Sequence, residues 1–167
     1  MVPPGPELLV GALAVVPTLA DANAAARTWA CTGLERVLFD NTNVALVGNG
    51  GRRPAFNTGG KAYCVTAVQT YHWNNGKGTA SAGFVGLTGT GSALGGPGPV
   101  GFWKAYGPGA PSAPPNAIWR VTLSRDAPVV IRGTYSCSDS APGTWSQNQA
   151  SAGLGFCVVA GTPAIAR

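Results

Sequence analysis

Two tracts, TGTGSALGGPGP at 88–99 and GPGAPSAPP at 107–115, break the chain into short pieces. Proline has no backbone donor, and glycine loses more freedom than any other residue when it is held in a helix or strand. The rest of the chain is similarly punctuated, with 25 glycines and 14 prolines among 167 residues. No helical period survives for more than a turn beyond residue 26, which excludes a helical bundle or coiled coil. The glycines follow no three-residue period, which excludes collagen. Hydrophobic residues make up 45% of the chain and charged residues only 10%, so it is not a disordered polyelectrolyte either.

What remains is strand-like alternation. Arg36–Asp40 and 44–47 read as short strands about an Asn-Thr-Asn turn, and 62–73 (AYCVTAVQTYHW) is the longest β-like run. It ends at Asn74-Asn75-Gly76, which tolerates positive φ and suits a tight turn. Further strands are expected at 80–87, 100–106, 116–123, 129–137 and 155–160, with 88–99 and 107–115 as loops. In 116–123, Ala117, Trp119, Val121 and Leu123 share a face. In 129–137, Val129, Ile131, Tyr135 and Cys137 do the same. The fold class is therefore all-β, a single antiparallel β-sandwich or jelly-roll-like domain of about eight strands.

The N-terminus has a different character. Residues 8–20 form an apolar run interrupted by Pro17, too short for a helix that crosses a bilayer. Ala22-Asn23-Ala24-Ala25 follows, with small residues at the spacing of a signal-peptidase site. Residues 1–24 are expected to be a signal peptide, 25–32 an N-terminal arm, 33–161 the sandwich and 162–167 a tail. No other segment suits a membrane span. Loss of 1–24 removes two of six acids and no base, which takes the net charge from +5 to +7. Only Arg52 and Arg53 are adjacent among the basic residues, so there is no stripe for nucleic acid. Nonspecific attraction to an anionic cell surface or polysaccharide is the more modest implication.

The four cysteines, Cys31, Cys64, Cys137 and Cys157, form no CxxC, and a chain with one histidine is poorly equipped for zinc. An even count in an exported chain suggests two disulfides. Three connectivities exist. Cys31–Cys64 and Cys137–Cys157 are favoured because each pair joins segments close in sequence.

Five blocks occur in order: Phe39-Asp40-Asn41; TYHWNNGKGT at 70–79; Pro115-Asn116-Ala117; Gly133-Thr134-Tyr135; and TWSQN at 144–148. Together they resemble a poorly characterised family of exported bacterial β-sandwich domains, over roughly residues 33–161. The resemblance implies fold and export. It implies no activity, and the cysteines look like local additions to the pattern.

The chain has no P-loop, dinucleotide fingerprint, HExxH or GxSxG. Beyond residue 24 the acids are Glu35, Asp40, Asp126 and Asp139, a thin supply for a carboxylate pair. A hydrolytic triad would need His72, Asp139 and a serine. The richest polar–aromatic concentration is Tyr71, His72, Trp73, Asn74 and Asn75 with Asp139, Ser140, Trp145, Ser146, Gln147 and Asn148. Amides, hydroxyls and a carboxylate beside indole rings suit sugar recognition. The same residues also lock turns, and Trp73, Trp103, Trp119 and Trp145 also suit a core. Both readings stay open. No cofactor is expected, with a weak structural calcium site at Asp139 as the one exception. The expected role is an exported, non-enzymatic binding module for a glycan or cell-surface component. The alternatives are a self-associating surface protein and a small hydrolase using His72.

Overall fold

The computed structural model describes residues 29–92 and 96–167. The expected signal peptide and residues 25–28 of the N-terminal arm lie outside the described residues. Among the described residues ten strands run in the order β1 (Trp29–Cys31), β2 (Arg36–Asp40), β3 (Ala55–Asn57), β4 (Tyr63–Tyr71), β5 (Phe84–Ser92), β6 (Gly96–Lys104), β7 (Ile118–Thr122), β8 (Val129–Ile131), β9 (Thr134–Asp139) and β10 (Cys157–Ala166). They form two sheets, and every strand pairing is antiparallel. The larger sheet has the path β1-β10-β4-β7, with β2 on β10 and β8 on β4. The smaller runs β3-β9-β5-β6. The fold is thus the expected all-β sandwich.

Alternation explains the core. Val68 of β4, Trp119 and Val121 of β7, and Val159 of β10 face inward from the large sheet, and Val65 joins them where the β4–β10 register shifts by one residue. Val85 and Leu87 of β5 with Tyr135 and Cys137 of β9 meet them from the small one. The face predicted for 129–137 crosses from one sheet to the other at Gly133, whose φ of 114° turns the chain between β8 and β9. Ile131 and Tyr135 therefore share a core rather than a strand face.

Three expectations need correction. Residues 44–47 form no strand: Val44 and Leu46 stand fully exposed, and β-branched composition without a pairing partner or burial does not make a strand. Residues 88–92 and 96–99 are strand rather than loop, with Thr88 opposite Pro99, Gly89 opposite Gly98 and Ser92 opposite Gly96. β6 is an edge strand, where a missing donor is tolerated on the open side. The short β1 and β3 were not expected, and β10 continues to Ala166, past the anticipated boundary at 161.

The disulfides are Cys31–Cys64 and Cys137–Cys157, the favoured pairing. Neither joins hydrogen-bonded neighbours: the first links β1 to β4, which both pair with β10 and not with each other, and the second joins β9 of the small sheet to β10 of the large one. Two disulfides suit an oxidising compartment. Among the described residues no helix is long and apolar enough to cross a membrane. With 20 residues of sequence separation, Cys137–Cys157 should stabilise the fold by about 3 kcal/mol through the unfolded chain. Urea unfolding of a Cys137→Ser/Cys157→Ser variant is expected to show that loss.

Candidate functional site

The residues singled out in the sequence divide into a buried knot and an open cleft. The knot forms where β4 ends and β9 ends. His72 has no exposed surface. Its Nε2 lies 3.1 Å from Asp139 Oδ2, and its Nδ1 lies 2.9 Å from Thr144 Oγ1. Thr70 Oγ1 donates to the same Oδ2 at 2.7 Å, while the Ala141 amide donates to Oδ1 at 2.7 Å. The imidazole also stacks on Trp119, with ring centroids 3.8 Å apart. The side chains of His72 and Asp139 are both fully enclosed. Three donors from this chain already converge on the carboxylate. Among the described residues no group of three His, Cys, Asp or Glu side chains gathers to hold a metal.

Trp145 is 1% exposed, and its Nε1 donates to the Phe156 carbonyl at 2.8 Å. Its ring covers Gly155, where a Cβ would sit 2.3 Å from the indole, so the close approach needs glycine. A ring buried in this way offers no face to a sugar. Ser146 accepts the Trp73 amide at Oγ, and its own amide donates to the Tyr71 carbonyl, tying the TWSQN loop to the end of β4. Asn148 and Asn43 exchange side-chain amide bonds in both directions, and this pair holds the 42–47 loop. Gln147 bonds the 48–49 backbone.

Asn74, Asn75 and Gly76 adopt positive φ in a short 3-10 turn, as expected for Asn-Gly. Asn74 Nδ2 donates to the Gly78 carbonyl, and Asn75 is exposed. Ser140 turns the other way and accepts the Phe84 amide. Trp73 remains 36% exposed above Gly76.

The open cleft lies on the outer face of the large sheet and measures about 300 Å³. Gln69 and Tyr71 of β4 and Ile118 of β7 form its floor. Thr42, Asn43 and Val44 of the loop pinned by Asn148 form its wall. Tyr71 pairs with Ile118 and Gln69 with Arg120 across the β4–β7 ladder. Arg120 Nη1 donates to Gln69 Oε1 at 3.2 Å, which leaves the Gln69 amide protons to point elsewhere. The Tyr71 hydroxyl has no partner among the described residues. Burial raises its pKa above the ordinary tyrosine value, so the phenol stays a donor at neutral pH.

Of the expected site residues, only Tyr71 lines this cleft. Gln69 and Ile118 were missed. The available signal was period-two alternation, which puts Gln69 beside Tyr71 on the outward face of the longest strand. The loop contribution came from folding alone. No family model matches the chain, and no curated protein or solved structure does.

The knot and the cleft should respond differently to mutation. Asp139→Ala strands the Thr70, His72 and Ala141 donors and is expected to cost about 3 kcal/mol or more. Trp145→Ala should cost about 3–5 kcal/mol, whereas exposed Asn75→Ala should stay within about 0.5 kcal/mol of the parent. Denaturant midpoints measure all three.

Proposed function

We propose that the chain is an exported, non-enzymatic binding module that takes a carbohydrate in the Tyr71 cleft. The observation that carries this reading is the pairing of an aromatic ring and an unpartnered phenol with the free Gln69 amide on a partly apolar floor. Sugar hydroxyls need both donors and acceptors, and the C–H face of the ring needs an apolar surface. The wall is held in advance by Asn43 and Asn148, which lowers the ordering cost of binding. Trp73 extends the aromatic surface past the end of β4. Export is supported by the two disulfides. A non-enzymatic role is supported by His72, the one histidine, whose ring is enclosed and fully engaged with Asp139 and Thr144.

A glycan array followed by calorimetry tests the proposal. Tyr71→Ala should weaken binding by about tenfold or more, the loss of one well-placed ring and hydrogen bond. Gln69→Ala should weaken it in the same direction, with thermal stability little changed for both. Folded Tyr71→Ala protein that binds every glycan as well as the parent would sink the assignment.

Self-association is a second reading, favoured by β6. This nine-residue strand pairs only with β5 among the described residues, and Phe102 is exposed on it. Light scattering across a concentration series separates the two, because a strict monomer excludes assembly.

A further inference from the structure

The outer face of the small sheet carries a second constellation, on the opposite side of the sandwich from the Tyr71 cleft. Register builds it. Gly86 of β5 lies opposite Phe102 of β6 on one side and Ser138 of β9 on the other. Ala55 of β3 lies opposite Ser136, and the Cys137 amide donates to the Pro54 carbonyl, so Arg53 stands beside Ser138. Arg53, Ser138, Gly86 and Phe102 therefore form one row across the sheet. Neighbouring strands are about 4.8 Å apart, so the row spans about 14 Å.

Each member brings a different chemistry. Among the described residues, Arg53 makes no hydrogen bond or ion pair, and it is exposed. Ser138 and Thr88 share one hydrogen bond of 3.0 Å between their hydroxyls, so one hydroxyl proton stays available. Gly86 lets Phe102 and its strand lie close against β5; a Cβ there would meet that ring at 2.6 Å and the Gly101 carbonyl at 2.4 Å. Phe102 is 49% exposed and stacks on Phe84, with centroids 5.7 Å apart. Lys104 Nζ lies 5.2 Å above the Phe84 ring and donates to the Ala82 carbonyl. Arg53, Thr88, Gly101, Phe102 and Ser138 line a depression of about 260 Å³ with no acidic residue in it.

We infer that this face is a binding site for an acidic sugar within an anionic polysaccharide. The carboxylate sits on the Arg53 guanidinium, whose fork matches its two oxygens. The Thr88–Ser138 hydroxyls receive the sugar hydroxyls, and the pyranose C–H face lies on Phe102. Lys104 supplies a second positive charge for the next sugar along the chain. The net positive charge of the protein favours such a polymer at long range. This site does not depend on the Tyr71 cleft.

The test titrates the full chain with an oligogalacturonate, and with the same oligosaccharide after its carboxyls are reduced to alcohols. Saturable binding of the acidic form is expected, weakened by added salt because the guanidinium is exposed. Arg53→Gln should lower its affinity by about tenfold or more, the loss of a charge-assisted bond. Phe102→Ala should lower affinity for the acidic form with the protein still folded by circular dichroism, while Tyr71→Ala leaves it unchanged. The proposal is overturned by any of four results: no saturable binding, equal affinity for the reduced form, unchanged affinity in Arg53→Gln, or inorganic sulfate binding as tightly as the saccharide. Loss of binding in Tyr71→Ala alone would move the ligand to the other cleft and equally overturn it.

Discussion

The contact between His72 and Asp139 ties the two sheets together. His72 follows the last residue of β4 in the large sheet, and Asp139 is the last residue of β9 in the small one. Thr70 adds a hydroxyl from the large sheet, and Thr144 returns from the loop after β9. A buried carboxylate is costly unless it is fully hydrogen-bonded, so the position of each contributor is tightly constrained. The Cys137–Cys157 bond makes a second cross-sheet link beside the same knot, with Cys137 two residues before Asp139 and Cys157 opposite Thr70. Between these two links the apolar side chains of both sheets have little freedom to slide.

The knot also shapes the surface. Because Thr70 and His72 point inward, Gln69 and Tyr71 must point outward, and they form part of the floor of the cleft. Because Ser146 and Asn148 follow Trp145 into the same lock, the 42–47 loop is held against that floor through Asn43. On the other sheet, inward Cys137 and Leu87 put Ser138 and Gly86 on the outer side beside exposed Phe102, where both are largely covered. Both open faces are consequences of inward-facing neighbours, as period two requires.

The blocks that stand out in the sequence are largely the places where the chain fastens to itself. TYHWNNGKGT meets TWSQN through His72 and Thr144 and through Trp73 and Ser146. It meets Pro115-Asn116-Ala117 through Thr79, whose hydroxyl donates to the Asn116 carbonyl and accepts from Trp119 Nε1. Phe39-Asp40-Asn41 is fastened by Asn41, which bonds Gly155 and Cys157. Polar and aromatic residues in loops suit ligand binding and loop locking alike, because both need directed hydrogen bonds next to apolar surface. Composition cannot separate the two; burial does. Trp145 and His72 went inward, and Tyr71 and Trp73 did not. The 88–99 tract was similarly ambiguous. Glycine and proline disfavour strands in general, yet Thr88 and Gly89 pair on both sides within β5, and the prolines fall in β6 at the sheet edge, where a missing donor is tolerated.

From the amino-acid order alone follow the all-β class, the long central strand, the inward set on β7, the loop at 107–115 and the favoured cysteine pairing. These rest on local physics: period-two alternation, turn chemistry, missing proline donors and sequence separation. The tertiary structure alone decided which sheet each strand joins, that residues 129–137 divide between two sheets, and that Arg53, Ser138, Gly86 and Phe102 share a row. Those positions lie up to 85 residues apart in the chain. Only strand register brings them together, and register is set by how the whole core packs.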